Sequence, residues 1–306
     1  MARRSLQLRT LEHLAFALHM PLDKLERLLR SLHRSEHRHY QQWSKRKPDG
    51  RKRMITPPNS WLKSVQRRLN ALLQTLDMPD SIHGGRRGRS PFTNAEPHRF
   101  AGELVVTDIE DCFPSISSGR VYAMFRERQL CTPDVARALA RLTTFQGALP
   151  QGAPTSPMVA ALVMTPLMQR VDALAGIRSG RASLYVDDLT VSGTGQPRRT
   201  CEKLTQIVKS EGLRPHLQKT HVISDPARRN VTGIRVGSGS RDVERDVLNE
   251  LDSMIEAIAS ADDLDAEAVA CAEGLIQHAT RLNRGAAKLR KRRLDRATAC
   301  RTRRIV

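Results

Sequence analysis

The sequence predicts an α+β fold that ends in a small helical domain. Three observations predict it. Short strand-like runs alternate with segments of helical spacing from residue 40 to residue 236. Beyond residue 240 only helical spacing remains. Between the two regimes stands Gly237-Ser238-Gly239-Ser240, a linker composition. The 306 residues are enough to bury a core without help from disulfides.

Each element has its own signal. Residues 5–34 show helical spacing through Leu11, Leu14, Ala15 and Leu18, then Leu22, Leu25, Leu28 and Leu29. Pro21 is expected to start a second helix at its first turn. Residues 40–58 are basic and centre on Pro48-Asp49-Gly50, which predicts a hairpin or loop with a strand at 53–56. Residues 60–76 return to helical spacing, and 83–90 form a Gly/Arg loop. Residues 103–108 read as a buried strand that ends in acid. Short helices are expected at 121–128 and 135–143, and one long apolar helix at 156–174. Residues 184–192 read as two strands turning at a pair of aspartates. A helix at 201–211 closes on Gly212, and 216–223 and 230–236 are strand-like. Helices are then expected at 242–259, 263–282 and 286–299.

Charge narrows the function classes. Lys and Arg number 51 against 32 Asp and Glu, for a net +19. Such a balance points to a polyanionic partner, usually nucleic acid. Aromatics are only 4%, which argues against extensive base-stacking platforms. The charge is uneven: net +18 over residues 1–240, −9 over 241–273 and +10 over 281–306. The acidic segment is expected to face away from nucleic acid, or to pair with the basic tail or a protein partner. Five scattered cysteines, without CxxC or a Cys/His cluster, argue against zinc and against a disulfide framework. No apolar run is long enough to span a bilayer and no cleavage-type signal follows the N-terminus, so a cytoplasmic protein without a membrane partner is expected.

Two segments carry the chemistry. Asp108 ends one apolar strand, and Tyr185-Val186-Asp187-Asp188 stands 79 residues later. Adjacent carboxylates at a strand turn repel unless a cation or open solvent relieves them. Two divalent ions held there would suit in-line phosphoryl transfer, and oxygen-only ligands favour Mg²⁺. An isolated Asp-Asp is most often only a solvated turn.

The context changes that reading. Asp108 and Tyr185-Val-Asp-Asp188 resemble the palm of reverse transcriptases. Arg53-Met-Ile-Thr-Pro57-Pro58 followed by Leu62-Lys-Ser-Val-Gln66 resembles their fingers segment. Leu149-Pro-Gln151-Gly152-Ala-Pro-Thr-Ser156-Pro157 resembles the loop and helix beside nucleotide and template. Gly212-Leu-Arg-Pro-His-Leu-Gln-Lys219 resembles the motif bearing the lysine near the triphosphate. Asn94-Ala-Glu-Pro-His98 and Val231-Thr232-Gly233 match signatures of the retron type. The loop after His83-Gly84 departs from the pattern, since Gly85 replaces the usual aromatic. Val186 replaces the more usual alanine.

The resemblance implies a right-hand polymerase. An N-terminal helical segment would span 1–40, fingers 41–100 with part of 114–150, a palm 101–238 and a helical RNA-binding thumb 239–306. It implies an RNA-directed DNA polymerase, a nucleotidyltransferase using two Mg²⁺ ions and dNTPs. Asp108, Asp187 and Asp188, with the Ile109 carbonyl, would hold the metals. Lys219 would neutralise or protonate pyrophosphate. Lys52, Arg53, Asp111, Phe113, Gln151 and Gly152 would meet the nucleotide, Arg53 by bidentate phosphate contact and Phe113 as the ring excluding a 2′-hydroxyl. Nucleic acid would meet Arg86, Arg87, Arg89, Asn94, His98, Tyr185, Val231, Thr232, Gly233, Lys288, Arg292 and Arg293. Cys112, beside the metal loop, reads as packing.

The retron type further implies priming from an RNA 2′-hydroxyl and a branched multicopy single-stranded DNA made on a cognate structured noncoding RNA. It implies antiviral defence with a separately encoded effector, and leaves room for higher-order assembly. Two alternatives stay open: another small bacterial reverse transcriptase, intron-derived or of the abortive-infection type, and a catalytically silent RNA-binding scaffold.

Overall fold

Leu14, Leu18, Leu25 and Leu28 are fully buried, so the leading leucine pattern does fold as helix. It folds as two, α1 (Leu11–Ala17) and α2 (Leu22–Arg34). Residues before Thr10 are not helical, contrary to the reading of 5–34, because their backbone is taken elsewhere: Gln7 donates to the Gln129 carbonyl at 2.9 Å and Thr132 donates to Leu8 at 3.1 Å. Thr10 instead caps α1 by accepting from the His13 amide. Pro21 is the extended N-cap of α2 and lies outside its first turn. The computed structural model describes residues 4–46, 50, 52–237, 242–243, 245–261, 265–281 and 283–302.

The chain divides into two compact units, residues 1–94 with 105–222, and residues 95–104 with 223–306. In the first, β1 (Trp43–Arg46) and β2 (Lys52–Ile55) form the expected hairpin, with Lys45 opposite Arg53 and Arg46 opposite Lys52. Helix α3 (Ser60–Leu73) follows, capped by Asn59, then α4 (Pro91–Ala95). Strand β3 (Leu104–Asp108) leads to α5 (Cys112–Ser115), α6 (Ser118–Ala123) with a π turn at Met124–Arg128, and α7 (Pro133–Thr143).

The long apolar helix expected at 156–174 is two helices, α8 (Ser156–Val163) and α9 (Thr165–Gly176), bent by 56°. Pro166 lacks the amide a continuous helix needs, so the break falls at Met164. Nearly all of α8 is buried, which explains its unbroken apolar run. Among the described residues no single helix is long and apolar enough to cross a membrane.

Strands β4 (Arg181–Tyr185) and β5 (Asp188–Ser192) form an antiparallel hairpin. Helix α10 (Pro197–Ser210) starts earlier than expected, with Pro197 at its opening. Residues 216–223 are strand only at β6 (His221–Ile223); Leu217–Lys219 is a 3₁₀ turn. The sheet runs in the order β4-β5-β3-β6.

The second unit carries β7 (Asn230–Val231), β8 (Ile234–Arg235) and β9 (Asp242–Val243) as a three-stranded antiparallel sheet. Thr232 and Gly233 form the two-residue turn, both at positive φ (50° and 80°). Gly suits such a hairpin turn, so the Val-Thr-Gly signature has a local backbone reason. Most of the expected linker, residues 238–240, lies outside the described residues. Helices α11 (Arg245–Ser260), α12 (Ala266–Thr280) and α13 (Arg284–Thr302) close the unit around Leu251, Ile255, Ala272, Ile276, Ala279, Ala287 and Leu294.

Acidic and basic segments meet within that helical unit. Asp252 ion-pairs with Arg290 and, at 2.6 Å, with Arg293; Glu256 also reaches Arg293, and Glu273 reaches Lys291. Of the roles expected for the acidic segment, pairing with the basic tail is the one that these contacts serve. Asp252→Ala is expected to destabilise the unit by about 1–2 kcal/mol, because the pairs are only partly buried. Faster amide exchange in α11 and α13 would register the loss; unchanged exchange would show that the pairs add nothing.

Candidate active site

Apolar β3 and β5 lie side by side, and their ends bring three carboxylates to one place. Asp108 ends β3 and Asp188 starts β5. The turn between β4 and β5 is Val186 and Asp187, so one aspartate belongs to the turn and the other to the strand. The Ile109 amide donates to the Asp187 carbonyl at 3.0 Å, which locks the turn to the end of β3. On the other flank, His216 donates to the Asp108 carbonyl at 2.8 Å and Glu110 donates to Arg214 at 2.8 Å. These bonds carry Lys219 to the carboxylates, and its ammonium ion-pairs with Asp108. The Thr107 and Thr220 hydroxyls, 2.6 Å apart, tie the same two segments.

A cleft of about 880 Å³ opens over this cluster. Its floor is Asp108, Ile109, Asp111, Phe113, Tyr185, Asp187, Asp188 and Lys219; its other walls include Arg53, Gln151 and Gly152. The Thr56 amide donates to the Gln151 carbonyl at 2.6 Å, which joins the β1–β2 hairpin to that wall. Gly152 stands at φ 104°, and a Cβ there would meet Ile55 and Pro57 at 3.3–3.4 Å. The Gln151 side-chain oxygen is buried without a hydrogen-bond partner. Phe113 is half-buried, packed on the core behind and open to the cleft in front.

Burial and mutual repulsion disfavour the charged forms of these carboxylates. Burial, then the Asp108 charge, pushes the Asp187 carboxyl above the usual range. Asp188 is pushed up to about 6, first by the cleft walls that strip its water, then by Asp187 and Asp108. Burial works against the Lys219 ammonium, but its bond to Asp108 and the three nearby carboxylates raise its pKa. Burial, then Asp187 and Asp108, also pushes the Cys112 thiol far up, so it packs as a neutral group. Among the described residues no three His, Cys, Asp or Glu are grouped closely enough for a single ion; Lys219 is the cation at Asp108. The donor set nevertheless fits a hard divalent ion: oxygen ligands only, and carboxylates whose charge is under strain.

Other expected contacts lie elsewhere. Lys52 is absent from the cleft lining, whereas Lys45 and Arg46 of the same hairpin belong to it. The pairing register puts Lys45 opposite Arg53, so these two basic side chains share one face of the hairpin. Arg86 turns inward and donates to the Pro79 and Ile82 carbonyls at 2.9 and 3.0 Å. Arg89 pairs with Asp80 at 2.6 Å, while Arg87 stays exposed. Asn94, His98 and Val231 are buried and present no side chain to a strand of nucleic acid; Thr232 and Gly233 shape the hairpin turn instead. Arg293 is held by Asp252 and Glu256, and Lys288 and Arg292 are exposed on α13. The pattern also missed Glu110 and His216, which line the cleft; their only signal was adjacency to Asp108 and Lys219.

The glycine loop has a role the pattern did not suggest. The 81–84 backbone runs along β4: Leu184 donates to Ser81 at 2.8 Å, and His83 donates back to Leu184 at 2.8 Å. A Cβ on Gly84 would lie 2.1 Å from the Val186 amide nitrogen, and one on Gly85 would lie 2.7 Å from the Pro157 carbonyl carbon. Gly85 also stands at φ 77°, so the aromatic usual in the family has no room in this backbone. Val186 itself stands at φ 61°, an unfavourable conformation for a β-branched residue.

The family model described as reverse transcriptase (RNA-dependent DNA polymerase) matches residues 45–236. The retron Mx162 reverse transcriptase of Myxococcus xanthus is 34% identical over 285 residues, which cover 81% of this chain and 59% of that protein. The retron Ec86 reverse transcriptase of Escherichia coli is 31% identical over 218 residues, covering 70% of this chain and 68% of that protein. The retron Mx65 reverse transcriptase of Myxococcus xanthus is 31% identical over 314 residues, covering 95% and 72%.

Gly84→Ala tests the contact under the turn. A methyl group against Val186 backbone is expected to cost about 1–3 kcal/mol as overpacking, read as a lower denaturant midpoint. An unchanged midpoint would show that the loop retreats freely.

Proposed function

Because the chain belongs to the reverse transcriptases, and within them to the retron reverse transcriptases, we propose that it copies a cognate structured noncoding RNA into DNA. The observation that carries this reading is the single cleft holding Asp108, Asp187, Asp188, Lys219, Arg53, Gln151, Gly152 and Phe113. The substrates are dNTPs. Synthesis starts from an RNA 2′-hydroxyl and leaves a branched RNA–DNA product.

Asp108, Asp187 and Asp188, with the Ile109 carbonyl, would hold two Mg²⁺ ions. When bound, such ions polarise phosphoryl oxygen and clamp the attacking and leaving oxygens. The chain's own groups do the remainder. Arg53 and Lys45 grip the triphosphate, the guanidinium by paired hydrogen bonds. Gln151 and Gly152 bring backbone close to the nucleotide. Phe113 lies under the sugar, and Tyr185 lies beside the primer terminus. The primer hydroxyl gives up its proton to solvent, and its oxygen forms the new bond to the α-phosphorus as the bond to pyrophosphate breaks. Lys219 neutralises the departing pyrophosphate or donates a proton to it.

In this reading residues 1–40 are an N-terminal helical segment, 41–100 with part of 114–150 the fingers, 101–238 the palm and 239–306 the thumb. Arg284, Lys288, Arg292 and Arg296 recur every fourth residue on α13, all exposed, and supply the thumb's phosphate contacts. The protein works in the cytoplasm, and with a separately encoded effector it serves antiviral defence.

Asp187→Ala with Asp188→Ala is expected to abolish dNTP incorporation on copurified RNA while leaving RNA binding within about twofold, since phosphate contacts carry most affinity. Incorporation at the wild-type rate would refute the metal assignment. Phe113→Ala is expected to raise ribonucleotide over deoxyribonucleotide incorporation about tenfold, the size of a small steric discrimination. A constant ratio would remove Phe113 from that role.

A further inference from the structure

Building on the polymerase reading, we propose that Gln74 is a positioning residue that sets the placement of the Val186-Asp187 turn through the loop at 81–87. Gln74 ends α3 and does not line the cleft. Its amide grips the loop twice: Nε2 donates to the Gly85 carbonyl at 2.7 Å, and Oε1 accepts from the Arg87 amide at 2.8 Å. One planar group therefore fixes two loop residues relative to the helix.

The loop passes that constraint on without slack. Gly84 lies so close to Val186 that no side chain fits between them, and a side chain on Gly85 would likewise clash with the start of α8. Upstream, Arg86 bridges the Pro79 and Ile82 carbonyls and keeps the loop folded. The Ser81 hydroxyl donates to Asp172 of α9 at 2.7 Å, which anchors the arm paired with Leu184. The turn needs such support. A β-branched residue at positive φ persists only where its surroundings over-determine it. The carboxylates of Asp187 and Asp188 follow Val186 directly, so a shift of the turn is a shift of the cation site. Small displacements of reacting groups are costly to rate and leave ground-state binding largely alone.

Two variants test this in the full chain. Gln74→Met keeps the length and removes both hydrogen bonds; Gln74→Glu keeps the acceptor for Arg87 and removes the donor to Gly85. Amide exchange at residues 184–188 is expected to rise about tenfold in Gln74→Met, as for the loss of one or two hydrogen bonds, and less in Gln74→Glu. Exchange in α7 should not move. The dNTP addition kcat should fall about tenfold, with KM for dNTP within about twofold. Unchanged exchange at 184–188, or an equal rise in α7, would overturn the proposal. If the wild-type chain adds no dNTP at all, the polymerase reading falls, and the exchange comparison still decides the role of Gln74.

Discussion

Three carboxylates forced together at the ends of neighbouring strands constrain everything around them. Asp108, Asp187 and Asp188 repel one another, and the cleft removes part of the water that would screen them. The protein answers with Lys219, delivered by backbone bonds from the 214–216 segment to β3. It answers also with rigidity. The Ile109–Asp187 bond, the Thr107–Thr220 contact and the glycine loop hold groups that would otherwise separate. Strain concentrates at the same point, in the positive φ of Val186 and Asp111.

The wider charge distribution has two uses. On α13 the basic residues divide by face. Arg290, Lys291 and Arg293 are spent on Asp252, Glu256 and Glu273. Arg284, Lys288, Arg292 and Arg296 remain on the outer face, at the spacing where side chains of a helix align. The net +10 of residues 281–306 thus overstates what that segment offers a nucleic acid, because part of it neutralises the acidic segment before it.

Much of the architecture was open to inspection in the sequence because it follows from local physics. Strand ends carrying acid, helical leucine spacing and a basic hairpin around Pro-Asp-Gly are each decided within a few residues. The misread elements were decided by competition. The helix expected at 5–34 lost its first turns to bonds with residues 129–132. The apolar run at 156–174 hid a proline break, because a fully buried helix has no polar face to mark its course.

The sequence by itself determined the strand-end aspartates, the basic hairpin and the family, since these depend on residue type and order. Only the tertiary structure decided which charges face the cleft. Lys45 and Arg46 line the cleft and Lys52 does not, although all three belong to one basic hairpin; Lys45 is set beside Arg53 by a cross-strand pairing. Arg86 and Arg89 serve their own loop, and Asn94 and His98 are buried, because a short polar motif does not disclose whether its partner is solvent, backbone or ligand. Gly84 and Gly85 read as part of a Gly/Arg loop in one dimension. In three they are the places where two backbones touch, and contact distance is a quantity that sequence does not contain.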